Sequence, residues 1–110
     1  MGRFVKGDVV VVPFPFSNLS ESKRRPALVV APLIGDDVIL CQITSRDHND
    51  SYSIALDRRD FERGSLPKDS NIRPNRLFTA EASIIVRWTG KVVQKKLAEV
   101  VNGIEKIIEG

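Results

Sequence analysis

The sequence predicts a mainly β (α+β) domain, in which short antiparallel strands form a small, strongly bent barrel with a C-terminal amphipathic helix. Three observations support this fold class. Short apolar runs rich in β-branched residues alternate with turns that contain Pro, Gly and Asp. After Gly90 the apolar residues change to helical spacing. The length of 110 residues is that of one ordinary domain with a single core.

The first strand is predicted at Val9–Val12, a run of β-branched residues that favours a strand buried on both faces. The segment Pro13–Phe16 should break the ladder, because proline cannot donate a backbone hydrogen bond. Residues Ser17–Arg24 are polar apart from Leu19, which indicates an exposed, mobile loop.

The next two strands are predicted at Pro26–Leu33 and Asp37–Thr44, and a turn around Gly35 joins them as a hairpin. In an antiparallel hairpin the entry of one strand lies beside the exit of the other, so Arg25 and Thr44 should be neighbours. A guanidinium beside a hydroxyl on a rigid sheet is suited to holding a phosphate.

A shorter strand is predicted at Tyr52–Leu56, where the alternation is imperfect. The following segment, Arg58–Asn75, is polar and punctuated by glycine and proline, so it should be a long loop with one helical turn around Asp60–Arg63. Loops of this length in a compact domain are usually functional or tied to the core.

Two more strands are predicted at Arg76–Ala80 and Ser83–Trp88, with Gly90 ending the second. The tail predicts an amphipathic helix over Val93–Glu109 that packs on the barrel. Its apolar residues recur at helical spacing: Val93, Leu97, Val100, Val101, Ile104, Ile107 and Ile108.

Composition and charge narrow the class of protein. Hydrophobic residues make up 42% of the chain and charged residues 28%, as in soluble globular proteins and not in disordered or fibrous chains. There is no run of about 18 apolar residues and no apolar block of a signal peptide, so we expect a cytoplasmic protein without a membrane partner. The single cysteine, Cys41, lies in an apolar run, which favours a buried hydrophobic role over a reactive thiol.

The net charge of +3 and the pI of about 9.3 are modest, but the arginines are unevenly distributed. They concentrate at the ends of predicted strands and in the loops between them, which is compatible with a positive surface that follows a phosphate backbone. These residues are Arg24, Arg25, Arg46, Arg58, Arg59, Arg63, Arg73, Arg76 and Arg87.

Five short motifs in order make the chain resemble the MazF/PemK family of toxin ribonucleases over nearly its whole length. They are Gly7–Val10, Arg25–Val30, Ile43–Ser45, Leu66–Arg73 and Gly90–Val92 before the terminal helix. The resemblance implies an SH3-like barrel that acts as the toxin of a type II toxin–antitoxin pair. It further implies a homodimer that cuts single-stranded mRNA sequence-selectively, without a metal or other cofactor, and leaves a 2′,3′-cyclic phosphate and a free 5′-hydroxyl. A cognate antitoxin would neutralise it.

The resemblance also implies site residues. Arg25 and Thr44 match the positions that carry cleavage, with Arg25 stabilising the charge on the phosphorane and Thr44 hydrogen-bonding the scissile phosphate. Arg73 is a third catalytic candidate. The candidates for RNA binding are Ser22, Lys23, Arg24, Ser45, Arg46, Asn75 and Arg76, and the loop that includes Ser20–Lys23 is where family members contact RNA.

The general base is not assigned. In the plasmid-encoded branch of the family an aspartate follows the arginine by two residues, but here that position is Asn75, and an amide cannot act as a base near neutral pH. The chain has one histidine, His48, so a two-histidine mechanism within one subunit is excluded, and the polar surroundings of His48 favour a loop residue.

Several alternatives stay open at this point. Phe14, Phe16 and Trp88 could stack on bases or contribute to the core or a dimer contact. The protein could also be a non-catalytic RNA- or protein-binding barrel. A binder of double-stranded DNA is disfavoured, because neither a helix-turn-helix nor a basic helix is predicted.

Overall fold

The structure is a computed structural model that describes residues 4–14, 23–46 and 50–110. Within these residues the chain forms seven strands, two single turns of 3-10 helix and one α-helix. In chain order they are β1 Asp8–Phe14, β2 Lys23–Pro32, β3 Asp37–Thr44, β4 Ile54–Leu56, the 3-10 turn Arg58–Asp60, β5 Phe61–Gly64, β6 Ser70–Glu81, the 3-10 turn Ala82–Ile84, β7 Arg87–Val92 and α1 Gln94–Glu109.

The strands form one antiparallel sheet in the order β4-β6-β3-β2-β1-β7-β5. The sheet curls into a half-barrel, and α1 follows it at the C-terminus, which confirms the predicted fold class. Strand β3 and the helix lie where the sequence placed them, since Val93 is the residue that precedes the first helical turn.

Both faces of the sheet are buried, because alternate residues of the central strands contribute to two separate apolar clusters. On β1, Val9 joins a cluster that also contains Leu28 and the helix residues Leu97 and Val100. Its neighbour Val10 joins the second cluster on the other face. The helix therefore covers one face only, and the first strand is buried on both faces as predicted.

The break predicted at Pro13 is absent. Strand β1 continues through Pro13 to Phe14 and pairs with β2 as far as Lys23, so Lys23 and Arg24 belong to a strand and not to the predicted loop. Pairing of β1 with β7 ends earlier, at Val11. Proline is tolerated because this part of β1 has one strand neighbour among the described residues, and a missing N–H can face away from it.

The long loop predicted at Arg58–Asn75 contains strand β5 and the first half of β6, and the helical turn lies earlier than predicted, at Arg58–Asp60. The prediction of a loop was wrong here because it took proline and glycine as loop signals. Pro74 lies in a bulge of β6: Cys41 pairs with Leu77 whereas the next residue of β3 pairs with Arg73. A bulge leaves residues unpaired, so a proline costs no ladder hydrogen bond.

The strand predicted at Ser83–Trp88 is also displaced. Residues Ala82–Ile84 form a 3-10 turn, and β7 runs over Arg87–Val92. Gly90 does not end this strand. It pairs with Val9 on one side and with Gly64 on the other, and a Cβ at Gly90 would lie 2.8 Å from the carbonyl oxygen of Arg63. Glycine thus permits a close approach of β5 to β7.

Residues 15–22 and 47–49, which include most of the predicted mobile loop, Ser22 and His48, lie outside the described residues. Of the helices that are described, none has the length and apolarity needed to cross a bilayer.

We predict opposite effects for the same change at two glycines. Gly90→Ala should lower the free energy of unfolding by roughly 1–3 kcal/mol, because the new methyl group overlaps backbone that cannot move aside. Gly103→Ala should leave stability unchanged or raise it by up to about 1 kcal/mol, because alanine favours the helix and its Cβ would meet neighbours at 3.4 Å or more. Urea unfolding of both variants checks this, and equal losses would contradict the packing of β5 on β7.

Candidate functional site

A cavity of about 310 Å³ lies at one end of the sheet, where β2 and β3 face β7 across β1. The segment between β5 and β6 completes its wall. The cavity is lined by Val11, Arg24, Arg25, Pro26, Ile43, Thr44, Ser45, Leu66, Pro67, Lys68, Ser70, Arg87 and Thr89.

The register of the sheet explains why these residues meet. Val11 of β1 pairs with Pro26 on one side and with Arg87 on the other. Since Ala27 pairs with Gln42, Pro26 lies beside Ile43. One row of paired positions thus crosses β3, β2, β1 and β7. It consists of three apolar residues, one on each of the first three strands, and of Arg87 on the fourth. Neighbouring strands are about 4.8 Å apart, so the backbones of β2 and β7 are separated by roughly 10 Å.

The lining of the cavity has a strong charge bias. Four of its side chains are cations, four carry hydroxyl groups and none is acidic. The cations are Arg24, Arg25, Lys68 and Arg87. None of them forms an ion pair or a side-chain hydrogen bond with another residue of the described ranges. Cations without acidic partners beside low-dielectric walls create a positive potential, which favours an anionic ligand.

Thr44 is nearly buried and presents a donor to this cavity. Its Oγ1 accepts a hydrogen bond of 3.2 Å from the N–H of Arg46. A hydroxyl that accepts from a backbone amide still carries its own hydrogen, and within the described chain no acceptor takes it. The Thr44 hydroxyl can therefore donate to a ligand oxygen.

The structure brings four of the ten candidate residues together, namely Arg25, Thr44, Arg24 and Ser45, all of which line the cavity. The predicted proximity of Arg25 and Thr44 agrees with the register of β2 and β3.

Four further polar residues of the lining were not among the ten site candidates, although Arg87 was one of the nine arginines expected on a positive surface. They are Lys68, Ser70, Arg87 and Thr89. Arg87 is remote in sequence from β2 and reaches the cavity only because β1 pairs with both β2 and β7. Lys68 lies within one of the recognised motifs, which is the signal that could have drawn attention to it.

Arg73 does not line the cavity. Its side chain is 8% exposed and its Nη2 lies 3.0 Å from Oδ2 of Asp50, in an ion pair with the segment before β4. Its Nε donates to Oδ1 of Asn75 over 3.4 Å. The guanidinium of Arg73 is thus already engaged by a carboxylate and an amide.

Arg73 is nevertheless close to Thr44. Thr44 pairs with Asn71, and Gln42 pairs with Arg73, so both project from the same face as diagonal neighbours, with Cβ atoms roughly 7–8 Å apart. The side chain of Asn71 connects β6 to the residues that follow β3, because its Nδ2 donates to the carbonyl oxygen of Arg46 over 3.1 Å.

The remaining candidates lie around the cavity without lining it. Lys23 and Arg46 are exposed at the ends of β2 and β3, and Asn75 and Arg76 are exposed in the bulge of β6. Ser22 lies outside the described residues.

Trp88 is 43% exposed, and its indole N–H donates to Oδ1 of buried Asp8 over 3.2 Å. The guanidinium of Arg63 lies 5.9 Å from the ring centroid. This residue is therefore fixed by its neighbours at the surface and is not part of either apolar cluster. The side chains of Phe14 and Phe16 lie outside the described part of the chain.

The ion pair of Arg73 makes the stability pH-dependent. Desolvation raises the pKa of Asp50, but hydrogen bonds from the N–H groups of Tyr52 and Ser53 and the charge of Arg73 outweigh it, so the pKa lies below its ordinary value of 3.8. A carboxyl with a lowered pKa stabilises the fold above its unfolded-state pKa, and this contribution is lost as the pH falls through the folded-state pKa.

Asp50→Asn should therefore lower the melting temperature at pH 7, and the difference from the unmodified protein should shrink as the pH falls below 3.8. Circular dichroism melts at a series of pH values measure this. Asp36→Asn, in the exposed turn between β2 and β3, is the control and should change little. A difference that stays constant with pH would contradict the role of the Asp50 charge.

Cys41 should be chemically inert in the folded protein. Burial raises the pKa of its thiol to about 12, its S–H donates to the carbonyl oxygen of Arg73 over 2.9 Å, and the thiolate is the reactive species. We expect no reaction with a disulfide reagent at pH 8 until denaturant is added, and then one thiol per chain. Rapid labelling of the native protein would show that the β3 to β6 contact opens.

Residues 5–108 match the family model of PemK-like, MazF-like toxins of type II toxin–antitoxin systems. No curated protein sequence gives a significant match.

Solved structures share the fold at low sequence identity. MazF from Deinococcus radiodurans superposes with a TM-score of 0.78 at 19% identity, with 100% of both chains covered. An endoribonuclease in complex with its cognate antitoxin, from a mycobacterial species, gives a TM-score of 0.78 at 13% identity, covering 97% of this chain and 96% of that one. A MazE–MazF complex from Deinococcus radiodurans gives 0.75 at 18%, covering 98% and 97%.

The family match spans almost the whole described sheet and the helix, and it agrees with the motifs read from the sequence. This protein therefore belongs to the PemK-like, MazF-like toxin family of type II toxin–antitoxin systems.

Proposed function

We propose that this protein is an endoribonuclease that cleaves single-stranded mRNA without a metal. The reaction is attack of a ribose 2′-hydroxyl on the adjacent phosphate, which yields a 2′,3′-cyclic phosphate and a free 5′-hydroxyl. One observation carries the proposal: the cavity between β2 and β7 gathers four cations and a hydroxyl donor that have no acidic partner or acceptor among the described residues.

The geometry supports a role in phosphate chemistry. Charge grows on the non-bridging oxygens as the 2′-hydroxyl attacks, and donors held in place before the reaction stabilise that charge most effectively. Arg25 supplies a guanidinium that can bind two oxygens of one phosphate, and Thr44 supplies one hydrogen bond from a buried, fixed position. The separation of roughly 10 Å between the backbones of β2 and β7 suits the backbone of one strand of RNA.

Proton transfer needs groups beyond these two. Arginine is charged throughout the accessible pH range and an amide such as Asn75 cannot accept a proton near neutral pH. We therefore assign Arg25 and Thr44 to electrostatic stabilisation and positioning, and we assign no general base. Arg73 is a diagonal neighbour of Thr44 on the same face. We propose that its guanidinium binds the phosphate from outside the cavity when its contacts with Asp50 and Asn75 are released.

The family membership supports the biological setting. Structural neighbours are described as an endoribonuclease with its cognate antitoxin and as a MazE–MazF complex. We propose that this protein acts in the cytoplasm as a homodimer and is neutralised by an antitoxin whose acidic segment folds over the cavity and covers Arg25.

A second candidate function is a non-catalytic RNA- or protein-binding barrel. The state of Arg73 favours it, because Asp50 and Asn75 occupy the guanidinium. The same cavity would then bind RNA without cutting it.

Cleavage of a long, mixed-sequence single-stranded RNA in excess chelator tests the two functions. We expect discrete cuts with 5′-hydroxyl ends from the unmodified protein. Arg25→Ala should lower the rate roughly 10²–10³-fold, as does loss of one donor to a developing oxyanion. Thr44→Val should lower it about tenfold, since one hydrogen bond to a charged group is lost, and Thr44→Ser should retain most activity.

Arg58→Ala is the matched control, because Arg58 is exposed in the 3-10 turn away from the cavity. Its rate should equal that of the unmodified protein. Cuts that persist in a folded Arg25→Ala protein would refute the assigned site, and intact RNA that is nevertheless bound by the unmodified protein would select the binding function.

A further inference from the structure

We propose that Arg87 and Lys68 form a second phosphate-binding wall, opposite Arg25 and Thr44, so that the cavity grips two consecutive phosphates of one RNA strand. Arg25 and Thr44 would take the phosphate that reacts, and Arg87 and Lys68 the phosphate next to it. The proposal rests on the proposed function for its substrate, RNA. It extends that function by naming the residues that bind the second phosphate.

The position of Arg87 follows from strand pairing. Val11 lies between Pro26 and Arg87 in one row of the sheet, and all three line the cavity. The two walls are therefore separated by the width of β1 and its two hydrogen-bonded gaps, roughly 10 Å between backbones. Arginine and lysine side chains are long, so their charged ends can reach a ligand that lies between the two strands.

The second wall is held in place by three hydrogen bonds to backbone carbonyl oxygens. The N–H of Ser65 donates to the carbonyl oxygen of Thr89 over 3.2 Å, and the Thr89 hydroxyl donates to the carbonyl oxygen of Ser65 over 2.9 Å. The hydroxyl of Ser70 donates to the carbonyl oxygen of Lys68 over 3.0 Å. The segment that carries Lys68 is thus fixed to β7 and β6 before any ligand binds, which lowers the entropy lost on binding.

The charges of the second wall are available to a ligand. Elsewhere in the described chain, the nearly buried cations Arg73 and Lys96 contact carboxylates. Arg87 and Lys68 form no such pair within the described ranges, although Asp69 follows Lys68 directly. Two cations on a fixed wall, in the same cavity as two more, favour a ligand with several negative charges, as a nucleic acid backbone has.

The experiment scans the phosphates of a short single-stranded RNA that carries 2′-deoxyribose throughout the bound segment, so that it cannot be cleaved. Each phosphate in turn is replaced by a neutral methylphosphonate, and the Kd is measured for the unmodified protein, Arg87→Gln and Lys68→Gln. The matched controls are Arg58→Gln and Lys95→Gln, which change exposed cations outside the cavity. Circular dichroism melts establish that every variant is folded.

For the unmodified protein, two consecutive methylphosphonates in the scan should each weaken binding about tenfold, the size expected for a charged hydrogen bond. In Arg87→Gln the Kd should rise by a similar factor, and one of the two positions should lose its effect. The slope of log Kd against log salt should fall in magnitude by about 0.7 for each contact removed from a single strand. The controls should reproduce the scan of the unmodified protein.

With cleavable RNA, Arg87→Gln should raise KM far more than it lowers kcat, whereas Arg25→Ala lowers kcat. An unchanged scan in both folded wall variants overturns the proposal. Binding of RNA without cleavage by the unmodified protein would reject the proposed reaction, and the scan would still decide whether the second wall exists.

Discussion

The pairing of β1 with β2 on one side and β7 on the other is the constraint on which the cavity depends. Val11 is the residue where both pairings meet at this end of the sheet. A slip of one residue in either ladder would turn every following side chain to the opposite face. Arg87 would then leave the row that it shares with Val11 and Pro26, and the residues that line the cavity would no longer meet. The two apolar clusters specify the register, because a slip would exchange Val9 and Val10 between the cluster that contacts the helix and the cluster on the other face.

A close backbone approach supports the same arrangement from the edge. Strand β5 is short and largely exposed, so its own side chains contribute little burial. It remains in the sheet because Gly64 and Gly90 face each other, and a Cβ at Gly64 would overlap the carbonyl of Thr89. Gly64 also adopts a φ of +69°, which favours glycine. The chain then turns directly into the segment that carries Lys68, so the edge of the sheet and the cavity wall are one continuous feature.

Local patterns were sufficient to predict one hairpin, the helix and the proximity of Arg25 to Thr44. In β3 and α1 the apolar period is uninterrupted, and the turn between β2 and β3 contains glycine and aspartate. Where prolines and glycines interrupt the period, prediction failed: Pro13 lies in a strand with one neighbour, and Pro74 lies in a bulge. Both positions tolerate proline because of pairing between distant segments, which a local pattern does not contain.

The same distinction applies to the site. Arg87 and the ion pair of Arg73 with Asp50 depend on contacts across 23 or more residues, whereas Arg24, Arg25, Thr44 and Ser45 lie at the ends of one hairpin. The hairpin half of the cavity was therefore predictable and the β7 half was not. The motif Leu66–Arg73 marked the segment between β5 and β6 without indicating which face its side chains occupy.

The arrangement of charges separates stability from function in this small domain. Arg73 is nearly buried, and a buried guanidinium without a partner would destabilise the fold, so Asp50 and Asn75 contact it. The cavity cations are more exposed or lie at strand ends, and water can solvate them without a partner. Their mutual repulsion is an energetic cost of the free protein, which an anionic ligand relieves. A segment that neutralises several of them at once would gain this relief in full, so we expect the cavity to favour polyanions over isolated anions.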